Sequence, residues 1–378
     1  MKKAKITVIA FFLAFLTVLS IASMVNPVRD YSESENRNLA QMPAFSLEAV
    51  FDGSFTKGYE EFVVDQFVWR DMWIKIKSGI ERVLGKTLSN GVYFARDGYF
   101  IEHKSNADID AELLEKNIGF LEGYVLGMGE LEGVNALAAI APTASLIHAD
   151  KLPAFNDEYD WSAMLERVKE ATGDGFVDLA SVLSQHKDEY IYYRTDHHWT
   201  TDGAYYAYCE IARRFGFDPL DITEFERVVL SEDFFGTVIA RVNASASPDT
   251  IVGYEPKSEQ TLAVDFNMGM KKSDTLYAPE KLDTRDKYAY FLGGNDALVQ
   301  IDTGLDNGRT LLLAKDSYAN CLVPFLAAHF ERIYVVDLRY FNFGLVEYAK
   351  TLENITDSLV LYNASGFASD RYVFKLAR

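Results

Sequence analysis

The chain has 378 residues, room for one large core or two modest ones, and at 49% hydrophobic and 25% charged it has the composition of a globular protein. Lys and Arg number 37 against 56 Asp and Glu, a net charge of −19, so the overall field repels nucleic acid and anionic surfaces and argues against both as general partners. Salt screens that field within about 10 Å, so a local basic patch is still free to act.

The first residues, MKKAK, are basic, and Ile6–Val25 is a run without a charge, long enough to cross a bilayer as a helix. The lysines set its start on the cytoplasmic side. Residues 1–28 therefore read as a signal anchor, or as a signal peptide cut after Ala22, which would leave a secreted protein. Either way the remainder lies outside the cytoplasm. Residues 29–90 read as an N-terminal helical arm, because Phe51, Phe55, Tyr59, Phe62, Phe67 and Trp73 recur at helical spacing.

From Gly91 the texture changes, and residues 91–378 read as one α/β domain. GVYFARDGYFIE predicts a β-hairpin around Arg96-Asp97-Gly98. A helix over about Ile109–Leu131 leads to the apolar strand Ala136–Thr143. A helix near Trp161–Ala171 leads to the short strand Gly175–Leu179. EYIYYR then reads as a strand, followed by TDHHWT and a helix from Asp202 to Phe215. The stretch Arg227–Ile301, rich in Gly, Asp and β-formers, reads as an inserted β-hairpin region. TLLLA (Thr310–Ala314) is a buried strand, followed by a Pro-interrupted helix to Phe330, then the strands IYVVDL and SLVLYN with a helix between them. Strands alternating with helices predict a mostly parallel sheet covered on both faces. Cys209 and Cys321 sit in apolar runs and read as buried thiols, not as a disulfide.

Open parallel sheets place their sites at the carboxyl ends of strands. Four such ends carry suggestive residues: Thr143; Asp196, His197 and His198; Asp316, Ser317 and Asn320; and Asp337, Arg339 and Tyr340. At the third, an apolar strand runs straight into Lys-Asp-Ser and a helix, exposing a serine hydroxyl beside helix-start amides, those around Tyr318, that suit an oxyanion. A serine needs a base to take its proton, and the base needs an acid to hold its tautomer. Asp196 and His198, two positions apart, can turn to one side and supply both. Ser317, His198 and Asp196 form a candidate catalytic triad.

These residues carry a resemblance. TDHHWT, LLLAKDSYANCLVPFLAAHF and VVDLRYF, with SESENRNLAQMP, YEEFVVDQFVWRD and FARDGYFIE before them, resemble the DHHW family of bacterial extracytoplasmic proteins. That family belongs to the SGNH (GDSL-like) hydrolase superfamily and is similar to the alginate O-acetylation proteins, which share an Asp-x-His-Trp motif and a late serine. The resemblance runs from about Tyr31 to the C-terminus. It implies a flavodoxin-like α/β/α domain and a Ser-His-Asp site used in acetyl transfer to, or acetyl removal from, extracellular carbohydrate. By the same resemblance a membrane partner that exports acetyl groups is expected. The order Asp, His, Ser is reversed from ordinary GDSL enzymes, which implies a circularly rearranged motif order. Thr143 then takes the place of the oxyanion asparagine, and the turn after Asp337 that of the glycine. Two departures stand out: Lys315 replaces the glycine of Gly-Asp-Ser, and neither oxyanion position shows its usual residue. GGND (Gly293–Asp296) imitates a superfamily block but falls outside any simple permutation and reads as a polar hairpin turn.

The remaining candidates have plainer readings beside the functional ones. Trp199 is either a stacking platform for a sugar or a core aromatic. Arg339 is either a bidentate carboxylate binder or half of a structural ion pair, and His197 is the substitute base. Adjacent histidines beside an acid suit a zinc ion, but no cysteine pair or spaced histidine completes the set, so no metal or cofactor is expected. Three functions remain: an anchored serine O-acetyltransferase or acetylesterase, an inactive relative that binds polysaccharide or organises an envelope assembly, and a metal-dependent phosphoesterase.

Overall fold

The structure is a computed structural model that describes residues 2–32, 37–258 and 261–377. Part of the SESEN motif, Glu33 to Asn36, lies outside the described residues. The chain forms two compact units, Met1–Lys86 with Ile239–Ala246, and Thr87–Val238 with Ser247–Arg378.

The first unit begins with the helix Lys2–Val25, of which Lys5–Val25 has a mean hydropathy of 2.6 and buries nothing in the fold. At about 1.5 Å per residue its length matches a bilayer's hydrocarbon core. Three further helices follow, Leu47–Phe51, Ser54–Asp65 and Arg70–Val83. The Gln66 side chain holds the unit's loops together, donating to the carbonyls of Arg29 (2.8 Å) and Ala40 (3.1 Å) and accepting from the Arg29 amide.

The second unit is built on an eight-stranded sheet. In chain order its strands are β1 (Asn135–Ala141), β2 (Phe176–Val177), β3 (Ala263–Phe266), β4 (Lys271–Ser273), β5 (Leu298–Asp302), β6 (Thr310–Lys315), β7 (Arg332–Val336) and β8 (Asp357–Asn363). Their spatial order is β4-β3-β5-β7-β6-β8-β1-β2. The pairs from β7 to β2 are parallel, and β3, β4 and β5 extend the sheet antiparallel beyond β7.

The parallel strands are apolar throughout because both faces are covered, and successive side chains divide between two cores. Leu311, Leu313, Val335 and Leu361 face the helix Thr201–Arg214 and the aromatic segments beside it. Leu312, Ala314, Val336 and Val360 face the helices Ala111–Gly129 and Trp161–Thr172. The hairpin Val92–Phe94/Phe100–Glu102 turns through Arg96–Gly98.

Three sequence expectations change. EYIYYR joins no sheet among the described residues and makes only the single bridge Tyr192–Trp199: the Ile191 and Tyr193 amides bond locally to the Glu189 and His198 carbonyls, and buried Asp249 takes the Arg194 amide. The long helix after β6 is instead two short turns, Ser317–Cys321 and Val323–Leu326. The inserted stretch is divided: Phe225–Phe234 and Asp249–Pro256 form their own antiparallel pair, whereas its later strands β3, β4 and β5 belong to the main sheet. Cys209 and Cys321 are both buried and free.

Candidate active site

Strand β6, interior to the sheet, delivers Ser317 at its carboxyl end, in a turn that is tightly tied down. Asp316 caps the turn, its Oδ1 accepting from the Tyr318 amide at 2.9 Å. Its Oδ2 accepts from the Asn363 amide at 2.7 Å, so the serine turn is stitched to the end of the neighbouring strand β8. In an open sheet the crevice opens where the chain departs to opposite sides from adjacent parallel strands, as it does between β6 and β8. Ser317 stands at one lip and Asn363 at the other.

The base and its acid arrive on the loop after Tyr193, which two segments distant in sequence hold in place. Buried Asp249 accepts from the amides of Arg194 (2.9 Å) and Thr195 (2.8 Å), from the Thr195 hydroxyl (2.6 Å) and from the Tyr190 phenol. Thr237 donates its amide (2.8 Å) and hydroxyl (3.0 Å) to Asp196 Oδ2. Gly236 must be glycine, since a Cβ there would lie 2.6 Å from Asp196 Cα. Asp196 Oδ1 is then left for His198, 2.5 Å from Nδ1 and 3.0 Å from its amide nitrogen. On the far side of the ring, His198 Nε2 lies 2.7 Å from Ser317 Oγ.

The electrostatics select one protonation state. Burial alone would raise the Asp196 carboxyl, but the adjacent His197 and His198 and the Thr237 amide outweigh it and hold the acid well below its ordinary value. Burial, reinforced by His197 and opposed by Asp196, pushes His198 down to about 4. At neutral pH the acid is ionised and the imidazole neutral. A carboxylate can only accept, so Nδ1 carries the proton, and the lone pair on Nε2 faces the serine hydroxyl.

Aromatic rings fix the imidazole. Tyr288 stacks on it at 3.8 Å between centroids and 14° between planes, and the His197 ring stands 3.9 Å away. The Tyr288 hydroxyl donates to the Ser317 carbonyl at 3.1 Å and to Cys321 Sγ at 3.2 Å. Trp199 is fully buried and donates from Nε1 to the Tyr318 carbonyl at 2.9 Å, so it is a core aromatic under the serine turn and not a platform for a sugar.

The other candidates fall into place around this centre. The Thr237 hydroxyl gives its proton to Asp196, so His197 Nδ1 donates to Thr237 Oγ1, 2.7 Å away, while the Tyr318 phenol bonds the His197 carbonyl. The Tyr318 amide is committed to Asp316. Asn320 is buried and holds the Lys315 ammonium at 2.7 Å, so its side chain serves that lysine. Lys315 itself turns away from the serine to Asn295 (2.7 Å) and Asn320. It thereby ties the lysine before Asp-Ser to the GGND turn. Burial pushes this ammonium down to about 8, against the pull of Asp337 and Asp316. Arg339 spends its Nε (2.9 Å) and Nη2 (2.5 Å) on Asp337 and is a structural ion pair. Thr143 caps the helix Ala144–Ile147 and lines a small cavity with Ser145, Asp196, His197, Tyr318 and Asn363.

Asn363 is the residue that strand-end reasoning passed over. Its Oδ1 caps the helix Ala364–Ser369, accepting from the Ser365 amide (3.0 Å) and the Gly366 amide (3.4 Å). Its Nδ2 is buried and has no partner among the described residues. SLVLYN was legible as a strand, and its terminal asparagine was the available signal.

Near atoms of Asp196, His197 and His198 lie within 4.8 Å of one another, close enough to share a cation. Asp196 Oδ1 and His198 Nδ1 already bond each other and His197 Nδ1 bonds Thr237, so a metal would have to displace those bonds.

Comparisons with known proteins agree with the architecture. The DHHW protein family matches residues 141–336, more than half of the chain. Among solved structures the chain is similar to a DHHW family protein from Eubacterium siraeum DSM 15702, with 26% identity, a TM-score of 0.64, and 76% of this chain and 95% of the other covered. It is similar in fold to Bacillus cereus PatB1 carrying a sulfonyl adduct, at 19% identity and a TM-score of 0.65 over 77% of this chain and all of the other. A further PatB1 structure aligns at 21% identity and 0.62 over 74% and 97%. No curated protein matches the chain. On the extent of the family match and the motifs that fall within it, the chain belongs to the DHHW family.

Proposed function

We propose that the protein is a serine-dependent O-acetyltransferase or acetylesterase acting on carbohydrate outside the cytoplasm. The observation that carries this reading is the continuous line from Asp196 Oδ1 through His198 to Ser317 Oγ, at 2.5 and 2.7 Å. Ser317 Oγ attacks the acyl carbonyl carbon as its proton passes to His198 Nε2, and Asp196 stabilises the imidazolium that forms. The tetrahedral adduct collapses to an acyl-serine, and His198 returns the proton to the departing alcohol. An acceptor hydroxyl, of a sugar or of water, then gives its proton to His198 and takes the acyl group, restoring Ser317.

Two donors suit the oxyanion. The Ser317 amide opens a helical turn and has no earlier carbonyl in that turn to bond. Asn363 Nδ2 stands unpartnered across the crevice. The sheet supports a circularly rearranged motif order: counted from β6, the parallel strands run two-one-three-four-five, the flavodoxin-like sequence. The place beside the serine strand then belongs to β8 and Asn363, one strand nearer than Thr143. The carbohydrate acceptor rests on the motif resemblance to the alginate O-acetylation proteins, and the extracytoplasmic site on the N-terminal apolar helix. The motive for an inactive relative was Lys315, and its side chain leaves the serine–histidine contact intact.

A sulfonyl adduct is described for PatB1, and reagents of that class provide the test. Incubation with an aryl sulfonyl fluoride, followed by intact mass and peptide mapping, should place one adduct on Ser317, with fluoride released. Ser317→Ala and His198→Ala should abolish both the adduct and turnover of an activated acetyl ester. Turnover that persists in Ser317→Ala overturns the proposal.

A further inference from the structure

The helix Arg70–Val83 in the unit Met1–Lys86 with Ile239–Ala246 has one face that the fold uses and one that it does not. Ser78, on the inner face, is buried and donates to the Val242 carbonyl at 2.7 Å. Directly opposite run Trp69, Trp73, Ile76, Ile80 and Val83, at steps of four and three, with Met72 beside them, all between 37% and 88% exposed. An apolar stripe at that spacing seeks an apolar surface. Trp69 adds a second sign. It stands before the helix at φ 55°, in the left-handed region that bulky side chains seldom occupy, and there it is left open.

Charge and position point to one occupant. From Trp69 to Lys86 the segment carries Arg70, Lys75, Lys77, Arg82 and Lys86 against only Asp71 and Glu81, in a chain whose net charge is −19. Lys75 and Lys77 flank the stripe on its two sides. The start of this helix is bonded to the end of the apolar N-terminal helix. Arg29 pairs with Asp71 at 2.9 Å, the Arg29 amide donates to Gln66, and the Val68 amide reaches Ser23 Oγ at 3.5 Å. If Lys5–Val25 crosses a bilayer, Trp69 and Trp73 lie at the level where the headgroups begin, the depth that tryptophan favours.

We propose that Arg70–Val83 is an interfacial helix, its apolar stripe immersed in the surface of the bilayer that the N-terminal helix crosses and its flanking lysines set on anionic headgroups. The proposal rests on the anchor reading. It makes the first unit a footing on the membrane in place of a free linker.

The protein offers an internal reporter, because Trp161 and Trp199 are buried and the N-terminal helix has no tryptophan. The full chain is reconstituted in phosphatidylcholine vesicles containing about one-third phosphatidylglycerol, and tryptophan emission is quenched from the lipid by brominated acyl chains or from water by acrylamide. Bromolipid should quench Trp69 and Trp73, with acrylamide excluded, and Trp69→Phe/Trp73→Phe should remove that quenching. Lys75→Glu/Lys77→Glu should restore acrylamide access and shift emission to the red. Acrylamide quenching without bromolipid quenching overturns the proposal, as does protection that rises with protein concentration in detergent, the mark of a second copy on the stripe. Alkaline extraction reports the anchor alone: a chain that washes off the vesicles overturns both readings, and one that stays while its tryptophans remain in water overturns only this one.

Discussion

Asn363 offers the sharpest test of the crevice, because its two amide atoms have separate jobs. Oδ1 caps a helix, and Nδ2, buried and without a partner among the described residues, is the proposed oxyanion donor. Asn363→Ala would confuse the two, since loss of a cap costs about 1 kcal/mol of stability by itself. Asn363→Ser and Asn363→Asp keep an oxygen for the Ser365 amide and empty the place of Nδ2: Asp has no donor, and the one hydroxyl of the shorter Ser is held at the cap. Nδ2 makes no bond among the described residues, so the substitutions break none of the bonds seen there. The whole effect should fall on the transition state, where a donor to an oxyanion contributes about 10²–10³ in kcat, or about 2.7–4 kcal/mol. Asp should be worse than Ser, because it sets a negative charge where one develops. The assay is kcat and KM for an activated acetyl ester beside thermal unfolding of each variant. A fall in kcat with KM and Tm nearly unchanged is expected. Wild-type kcat in a folded Asn363→Ser protein would refute the assignment, and a loss of rate matched by a loss of Tm would reduce it to capping.

Three further outcomes follow from the same geometry. The proposed reaction needs neutral His198, whose pKa lies below its ordinary value, so the rate should rise as pH climbs through about 4 and then level; a kcat/KM profile whose acid limb sits at an ordinary histidine value near 6.5 would contradict it. His148 is buried between Tyr99 and Tyr192 with neither ring nitrogen bonded among the described residues, and burial, helped by Lys151, pushes it down to about 4. Its folded pKa is depressed, so its share of stability is present above about 6.5 and lost as pH falls to about 4, up to about 3 kcal/mol. Denaturant unfolding of His148→Phe across that range should show a flatter pH dependence, and an unchanged slope would refute the account. Gly236→Ala drives a methyl against Asp196 and should displace the acid from Thr237, lowering kcat by about 10²-fold while the chain stays folded, as circular dichroism would show. An unimpaired rate would mean that the loop yields freely.

How much of this the sequence disclosed depends on how local each cause is. Ser317 was legible because its strand and turn are adjacent in sequence, and Asp196 with His198 because two positions on one loop suffice to face one side. The parallel strands were legible as unbroken apolar runs, since burial on both faces leaves no polar positions. EYIYYR misled for the converse reason. Its aromatic alternation resembles a strand, but its amides bond within the loop, and the last of them, on Arg194, goes to Asp249 more than fifty residues away. Thr237 and Tyr288 reach the site from the inserted stretch in the same way, and no local pattern marks them. Asn363 was hidden by pairing order. The strand was recognised, but nothing in SLVLYN says that it lies beside TLLLAK.

The stacked Tyr288 carries a kinetic consequence. With a phenol ring flat against one face of His198, and both ring nitrogens tied, the imidazole has no room to turn between half-reactions. In the proposed acyl transfer, the proton it holds can be delivered to only one spot, the seat beside Nε2 opposite the acyl-serine. The alcohol that departs and the alcohol that arrives must therefore occupy that seat in turn. Initial-rate plots at several acceptor concentrations should be parallel, the spent donor alcohol should compete with the acceptor, and excess acceptor should slow the enzyme by occupying the seat before it has been acylated.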